Sequence, residues 1–350
     1  MRSIVEEGVV ADPSQSKHPM PVFKRWATIL KGCNLPDIKR ADWLSRWLVI
    51  SRSCVLSMTF MSGLVGLLLA LERGPINWLY AVLSIIGILA AHTSNNLIND
   101  WTDVKMGVDT EDYPRAQYST HPILGGLTTG SALLKGVALL LGVDAIIMVV
   151  LTLLVGWQVL VFAVSGLALS LLYTVFLKRF ALGELTSLVV WGPLMTVGTA
   201  YVASGSFDMA MIVASLPYGL IVASVLIGKH MDKRDADIAA GVRTVPVLIG
   251  QRASALLLKL NGIIFYGLVA LVAILGYTGP YVAVCVLALP RLIKAWKVFG
   301  SAKPEQPPEG WTVWPLWYVG WAMFFNRQAG SFLILGLILN LAVPAIVGLF

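Results

Sequence analysis

Nine apolar runs, each about as long as a membrane-crossing helix, divide most of this chain. They lie at residues 47–71, 77–98, 133–155, 157–176, 184–204, 211–229, 254–276, 280–299 and 331–350. A helix needs roughly 20 apolar residues to cross the hydrocarbon core of a bilayer. Composition agrees, because 57% of the residues are hydrophobic and only 13% are charged, unlike soluble domains. The sequence therefore predicts an all-α polytopic membrane protein with about nine transmembrane helices, forming one domain over residues 47–350.

Two segments fall outside these runs. Residues 1–46 are predicted to form a cytosolic tail, in which the mixture of Trp, Leu and cations after residue 23 suits either a short interfacial helix or a solvated linker. The stretch WTVWPLWYVGWAMFF, residues 311–325, is short and Trp-rich, which predicts an interfacial or re-entrant segment. The three cysteines, Cys33, Cys54 and Cys285, indicate neither a disulfide framework nor a zinc site.

Charges in the connections predict the orientation of the chain in the membrane. Nine crossings from a cytosolic N-terminus place loops 99–132, 177–183, 230–253 and 300–330 on the cytosolic side. The external connections contain one cation, Arg73, whereas the cytosolic loops contain ten. This asymmetry follows the positive-inside rule. The net charge of +7 therefore reflects orientation, and no basic-aromatic pattern indicates nucleic-acid binding.

Acidic and amide side chains cluster where the second run ends, in the stretch NNLINDWTDVKMGVD at residues 95–109. Spacings of three and four place Asn96, Asn99, Asp100 and Asp103 on one helical face. Gly107 lets the chain turn, so that Asp109 can fold back towards that face.

A second acidic cluster, KHMDKRDAD, occupies residues 229–237. Asp232 and Asp235 lie three apart on one helical face, with Asp237 close by. Four crossings separate the two clusters, so both return to the same side of the membrane and can meet. Oxygen ligands of this kind suit Mg²⁺ better than zinc or copper. A single acidic pair is more often a solvated helix end, but two pairs at one mouth of a bundle favour a diphosphate site.

Both clusters resemble the aspartate-rich motifs of the UbiA superfamily of intramembrane prenyltransferases. The likeness continues in YTVFLK (173–178), LGEL (182–185), WGPL (191–194), GTAYV (198–202) and SLPYGL (215–220). These elements are most similar to the branch that prenylates 1,4-dihydroxy-2-naphthoate, whereas the spacing of His230, Asp232 and Asp235 resembles the 4-hydroxybenzoate branch. The resemblance covers residues 45–300 approximately. It implies helices around a central cavity, Mg²⁺-bound polyprenyl diphosphate at the cytosolic mouth, and transfer of the prenyl group to an aromatic acceptor.

Residue patterns and resemblance together predict the site. The catalytic residues are Asp100, Asp103, Asp232 and Asp235. The metal ligands are Asn99, Asp100, Asp103, Asp109, Asp232, Asp235 and Asp237. The substrate-binding residues are Asn96, Asn99, Lys105, Arg115, Tyr173, Lys178, Glu184, Lys233 and Arg243. Replacing a catalytic aspartate with alanine should remove most of the activity and leave the protein folded, because the apolar bundle provides the stability. The expected partners are the bilayer and the two substrates, without nucleic acid or an obligatory protein partner.

Other polar and aromatic residues allow two interpretations. Arg52 either snorkels to the interface or pairs near the diphosphate, and Asp144 is predicted to pair helices. Glu184 either caps its own helix or orients an acceptor hydroxyl, and His121 is predicted to be a loop residue. The aromatic side chains that either pack the core or stabilise an allylic cation are Tyr173, Trp191 and Tyr201.

The predicted function is Mg²⁺-dependent transfer of a polyprenyl group to an aromatic quinone precursor. One alternative is cyclisation of a prenyl diphosphate without an acceptor, which requires the same metal motifs. Another is transport of a small molecule, although no pair of Gly/Pro-broken helices marks a site at the midplane.

Overall fold

The structure is a computed structural model that describes residues 19–175 and 180–347. Over these residues the secondary structure is helical and contains no strand. The α-helices are α1 Val22–Gly32, α2 Trp43–Ile50, α3 Ser53–Leu71, α4 Trp78–Lys105, α5 Pro114–Tyr118, α6 Gly130–Val155, α7 Gln158–Val175, α8 Gly183–Val189, α9 Gly198–Ser204, α10 Met209–Ala239, α11 Val245–Ile274, α12 Leu289–Phe299 and α13 Tyr318–Val347. A π-helical segment, Val190–Val197, joins α8 to α9, and a 3₁₀ segment, Pro280–Ala288, precedes α12.

Seven helical segments in the described part are long and apolar enough to cross a membrane. They are α3, α4, α6, the continuous segment Gly183–Ser204, α10, α11 and α13. A shorter apolar helix covers Gln158–Leu169 within α7. The prediction of an all-α, multi-pass membrane protein is therefore confirmed, whereas the count of nine crossings stays a prediction.

The first predicted run is divided into two helices. Helix α2 ends at Ile50, α3 begins at Ser53, and between them Arg52 has a φ of +54°. A left-handed backbone interrupts helical hydrogen bonding and is costly for a residue with a Cβ. This break turns the Arg52 side chain away from the direction it would take in a continuous helix.

The last helix begins earlier than predicted. Helix α13 starts at Tyr318, so the second half of the Trp-rich stretch forms its first turns and not a separate interfacial segment. The preceding residues contain Pro308 and Pro315, which lack the amide hydrogen that a continuing helix needs. The prediction for 311–325 is therefore wrong for its helical part.

Contacts divide the chain into two compact units. Among the described residues, unit 1 comprises 19–57, 89–144 and 304–316, and unit 2 comprises 58–88, 145–175, 180–303 and 317–347. In unit 1, one apolar cluster contains Ile29, Leu35, Ile38, Ala41 and Val49. The end of the N-terminal segment is therefore packed by its own buried side chains from residue 29 onwards.

A disulfide also joins this N-terminal segment to the start of α3. Cys33 and Cys54 are bonded with their Cα atoms 5.1 Å apart, within the usual range for such a bond. The expectation that the cysteines form no disulfide was therefore wrong for this pair. The two positions are 21 residues apart, and only the fold of unit 1 brings them together.

Helix α10 lies at the centre of unit 2 and packs against α8, α11, α13 and the π-helical segment. Its Tyr218 is fully buried, and the hydroxyl donates to the Met58 carbonyl at 2.9 Å. By contrast, α6 exposes large aliphatic side chains such as Leu139, Ile146 and Leu153. Because such side chains are favourable in lipid, this surface suits a membrane environment.

A hydroxyl group of α3 forms hydrogen bonds with the irregular segment Val190–Val197. Pro193 removes one amide donor from it, and Gly192 has non-helical torsion angles. Ser62 Oγ donates to the Trp191 carbonyl and lies 3.0 Å from Thr196 Oγ1. Gly66, one turn further along α3, allows the Thr196 carbonyl to approach its backbone so closely that a Cβ would collide with it.

Gly66→Ala is expected to lower the free energy of unfolding by about 1–3 kcal/mol, because the new methyl group must displace a backbone carbonyl. The measurement is thermal unfolding of the purified protein in detergent. Gly142→Ala is the matched control, since a Cβ at this helical position has open space around it. Equal melting temperatures for both variants would contradict the close approach of α3 to the π-helical segment.

Candidate functional site

The first acidic motif contains a fully buried carboxylate shared by two arginines. Asp100, at the end of α4, receives two hydrogen bonds from Arg115, with Nε at 3.0 Å from Oδ1 and Nη2 at 3.1 Å from Oδ2. Arg52 also pairs with it, through Nη2 to Oδ1 and through Nε to Oδ2 at 3.3 Å. Burial alone would lower the pKa of Arg52, but attraction to Asp100 outweighs burial and raises that pKa, so the guanidinium stays charged.

Two local features bring these arginines to Asp100. Arg52 lies at the break between α2 and α3, and Arg115 lies on α5, whose first residue is Pro114. Proline at the first helical position has the φ that a helix needs and no amide hydrogen to leave unsatisfied. Asn96, one turn before Asp100, donates from Nδ2 to the Ser51 carbonyl at 3.2 Å and so ties α4 to the same break.

Asp109 folds back towards α4 through a turn at Gly107. Gly107 has a φ of +72°, and the amides of Val108 and Asp109 both donate to the Asp103 carbonyl, at 2.8 and 3.1 Å. Burial raises the pKa of Asp109. The hydrogen bond from His121 and the charge of Arg52 lower the pKa by more than burial raises it, so the pKa of Asp109 lies below its usual value. Asp109 is therefore ionised beside Asp100.

His121 links Asp109 to Asp100. Its Nε2 lies 3.3 Å from Asp109 Oδ2 and 3.6 Å from Asp100 Oδ1. Its Nδ1 accepts from the amides of Ile123 and Leu124, so the neutral ring must carry its proton on Nε2 and donate it to Asp109. His121 lies in the loop between α5 and α6, as predicted, but it is buried there beside Asp109 and Asp100.

Asp100, Asp109 and His121 offer ligand atoms within 4.8 Å of one another, which is close enough for a metal ion. In this state, however, the oxygens of Asp100 accept from two guanidinium groups and His121 Nε2 carries a proton. The carboxylates suit Mg²⁺ by chemistry, but the two arginines balance the charge of the two aspartates. The residues fit Mg²⁺ only when the arginines move from Asp100 to another anion.

The other residues of the first motif are less buried. Asn99 and Asp103 are half-buried, and Lys105 is exposed with Nζ 4.6 Å from the centre of the Trp101 ring. They lie within two turns of Asp100 on α4, as their spacing predicts. A ligand at the exposed end of α4 can therefore contact Asp103 and Lys105 without entering the buried ion cluster.

The second motif spreads its aspartates over three environments. Asp232 accepts from the amides of Tyr318 and Val319, at 3.0 and 2.9 Å, and so caps the N-terminus of α13. Gly228 allows this approach, because a Cβ there would lie 3.0 Å from Val319 Cα. Asp235 is exposed and pairs with Arg234, whereas Asp237 is buried with Oδ1 3.6 Å from Lys233 Nζ.

The expectation that these aspartates do not support the fold is therefore wrong for Asp100 and Asp232. Each accepts charged or backbone donors that would lose their partner in an alanine variant. The predicted metal role of Asp232 and Asp235 stays a prediction.

Glu184 does not cap its own helix. It lies in the first turn of α8, and its Oε1 accepts from the Val245 amide at 3.1 Å and lies 2.8 Å from His230 Nδ1. Val245 is the first residue of α11, so Glu184 satisfies an amide at the beginning of a distant helix. Glu184 therefore caps a helix, as one of the two predictions had it, but the helix is α11 and not α8.

The remaining predicted residues have varied positions. Arg243 is exposed in the connection between α10 and α11. Trp191 Nε1 donates to Thr59 Oγ1 at 3.0 Å, and the Tyr201 hydroxyl donates to Gln158 Oε1 at 2.8 Å. Lys178 and the side chain of Tyr173 lie outside the described part of the chain.

Comparison with known proteins decides the family. The sequence model of the UbiA prenyltransferase family matches residues 59–326. The chain belongs to the UbiA prenyltransferase family. It is accordingly a prenyltransferase, as predicted.

Individual relatives support this assignment. The UbiA chain is 24% identical to the 1,4-dihydroxy-2-naphthoate octaprenyltransferase of Bacillus subtilis over 74% of its own length and 82% of that protein. A solved UbiA homologue from Aeropyrum pernix has a TM-score of 0.60 at 16% identity, covering 83% of this chain and 98% of that one. Another from Archaeoglobus fulgidus, bound to GPP and Mg²⁺, has a TM-score of 0.53 at 12% identity, covering 82% and 99%. These structural likenesses show the fold.

In this UbiA chain, Arg52 and His121 contact the buried aspartates, and the sequence did not assign either residue to the metal or substrate site. A charge inside an apolar run was a usable signal for Arg52, because such charges usually have a partner. His121 gave no comparable signal, since it precedes Pro122 in a loop and is one of four histidines. Its role depends on the turn at Gly107, which periodicity alone does not position relative to residue 121.

Asp100→Asn is expected to lower the free energy of unfolding by about 3–5 kcal/mol, because it leaves two buried guanidinium groups without their anion. The triple variant Arg52→Met/Asp100→Leu/Arg115→Met should recover most of that loss, because apolar side chains of similar volume replace the whole ion cluster. Thermal unfolding in detergent measures both.

Asp112→Asn is the control, since this aspartate is exposed in the same loop region. An Asp100→Asn protein that unfolds at the wild-type temperature would show that the buried ion cluster does not form.

Proposed function

We propose that this chain transfers a prenyl group from a prenyl diphosphate to a hydroxylated aromatic acceptor of the naphthoate type, in a Mg²⁺-dependent reaction. The observation that carries the proposal is the pair of arginines on Asp100. The naphthoate acceptor is suggested by the relative from Bacillus subtilis, and Mg²⁺ by the homologue bound to GPP and Mg²⁺.

Two guanidinium groups on one buried carboxylate form a prepared diphosphate site. Arginine presents its donors in a planar fork that matches phosphate oxygens as well as carboxylate oxygens. Without substrate, Asp100 holds Arg52 and Arg115 in place and balances their charge. When the diphosphate arrives, the arginines donate to its oxygens instead, and Asp100 is released.

The released carboxylate then has a second task. Asp100, Asp103 and Asp109, with the amide oxygen of Asn99, are the residues that would hold Mg²⁺ beside the diphosphate. Bound there, Mg²⁺ would act as a Lewis acid that stabilises the negative charge on the leaving diphosphate. His121 keeps Asp109 oriented through its Nε2 proton. Arg52 and Arg115 add electrostatic stabilisation of the same leaving group.

The second acidic motif is proposed to serve the same diphosphate, because the number of crossings between the motifs returns both to one side of the membrane. Asp235 and Asp237 are the proposed contributors, with Lys233 as a further cation. We propose the cytosol for this side, from the distribution of Lys and Arg among the predicted loops. Trp191 is proposed to shield and stabilise the allylic cation by its ring face.

The test is a reaction of the purified protein with Mg²⁺, geranyl diphosphate and 1,4-dihydroxy-2-naphthoate, followed by mass spectrometry. We expect a geranylated naphthoate-derived product, loss of turnover on chelation, and recovery with Mg²⁺. Arg115→Met should reduce kcat/KM by about 100-fold or more, because a buried charge-assisted contact to the leaving group is lost.

Arg291→Met is the matched control, since that arginine contacts Gln328 and Phe324 and is expected to keep wild-type turnover. A cyclic hydrocarbon formed at a rate that the acceptor does not change would contradict transfer and support the cyclase alternative.

A further inference from the structure

Three buried polar atoms near the beginning of α8 lack a partner among the residues that the structure describes. They are Glu184 Oε2, Ser187 Oγ and Thr244 Oγ1. Their residues are between 3% and 5% exposed, so bulk water does not satisfy them. Buried polar groups without hydrogen bonds are rare in native proteins because each costs free energy. Three such atoms close together in the chain's fold indicate that a ligand forms hydrogen bonds with them.

These atoms belong to one small region of unit 2. Glu184 and Ser187 are three residues apart on α8 and therefore share its buried face. Thr244 directly precedes Val245, whose amide lies 3.1 Å from Glu184 Oε1. The connection to α11 thus carries Thr244 to the face of α8 that bears the other two groups.

Glu184 is fixed in a way that leaves one oxygen available. Its Oε1 accepts from the Val245 amide and, through the proton on Nδ1, from His230. These two donors fix the plane of the carboxylate, so that Oε2 has a defined direction and no donor of its own. A ligand with a hydroxyl group would supply the missing donor, and the same hydroxyl oxygen could accept from Ser187 or Thr244.

We infer that Glu184, Ser187 and Thr244 form the seat for a hydroxyl group of the aromatic acceptor, in which Glu184 Oε2 takes the hydroxyl proton during transfer. This inference rests on the proposed function and assigns its acceptor side to particular residues. His230 is a positioning residue, since it holds Glu184 and does not touch the acceptor.

The proton transfer fits the chemistry of prenyl transfer. A ring carbon of the acceptor forms a bond to the allylic carbon, while the bond from that carbon to the diphosphate oxygen breaks and the electron pair leaves with the diphosphate. The hydroxyl proton passes to Glu184 Oε2, which leaves a ring ketone. The group displaced from the attacked carbon leaves its electron pair in the ring, either as carbon dioxide or as a proton that the released diphosphate accepts. Glu184 then returns its proton to the oxygen and the aromatic ring is restored.

The test compares 1,4-dihydroxy-2-naphthoate with its two mono-O-methyl ethers as acceptors, with geranyl diphosphate as donor. For the wild type, methylation of one of the two hydroxyl groups should lower kcat/KM by about 10-fold or more. A methyl ether has no hydrogen to donate to Glu184 Oε2, so the carboxylate oxygen would be left without a partner. Glu184→Gln should lower kcat/KM for the dihydroxy acceptor by a similar factor and remove the discrimination between it and that ether. The KM for geranyl diphosphate should stay unchanged.

If Glu184→Gln does not fold, Ser187→Ala and Thr244→Val test the acceptor seat in its place. In the described structure the hydroxyl groups of Ser187 and Thr244 make no hydrogen bond, so removing them should not destabilise the protein. Each should raise the KM for the acceptor and leave the melting temperature near the wild-type value. Ser224→Ala is the matched control, a buried serine on α10 that bonds to Leu220 and Asn261.

The results separate this inference from the proposed function. Wild-type transfer with undiminished discrimination in Glu184→Gln, Ser187→Ala and Thr244→Val would overturn the acceptor seat and leave transfer standing. A wild-type protein that transfers to no hydroxylated acceptor would overturn both.

Discussion

The charge on Asp100 is the constraint on which the site region of unit 1 depends. An ionised carboxylate without exposure to water is very unfavourable unless cations accompany it, and here two arginines do so from opposite directions in the chain. Arg52 reaches it because the first apolar segment breaks, and Arg115 reaches it because the loop after α4 forms a short helix. The break at Arg52, the turn at Gly107 and the buried loop around His121 therefore all bring charged or polar side chains to the surroundings of Asp100.

This ion cluster explains how an acidic motif can be stable before substrate binds. Asp100 and Asp109 carry two negative charges, and Arg52 and Arg115 carry two positive charges, so the buried cluster is neutral overall. Addition of Mg²⁺ alone would place two more positive charges beside the arginines, which is unfavourable. In the proposed reaction, a prenyl diphosphate arriving together with Mg²⁺ adds about three negative charges against two positive ones, so the cluster stays close to neutral while Arg52 and Arg115 donate to the phosphate oxygens. The arrangement thus favours joint binding of the two.

Sequence periodicity predicted the elements that local residue order controls. The long apolar helices, the face of α4 that carries Asp100 and Asp103, and the turn after Gly107 all follow from spacing within one segment. It could not predict contacts between segments far apart in the chain. The Asp232 carboxylate accepts amides 86 and 87 residues away, and Glu184 accepts one 61 residues away. An aspartate on a helical face looks the same in sequence whether it will bind a metal or cap another helix. The Cys33–Cys54 bond was missed for the same reason.

The claim that Asp100 is held by arginines until a diphosphate arrives is tested most directly by measuring divalent-ion affinity with and without substrate. Mn²⁺ binding to the purified protein, followed by electron paramagnetic resonance, should be weak alone. It should become at least about 10-fold tighter when geranyl thiolodiphosphate, a poorly reactive substrate analogue, is present, after correction for Mn²⁺ bound to the free analogue. Arg52→Met/Arg115→Met should remove most of this coupling, since Asp100 is then unpaired from the start. Equally tight Mn²⁺ binding to the wild-type protein with and without the analogue would contradict the account.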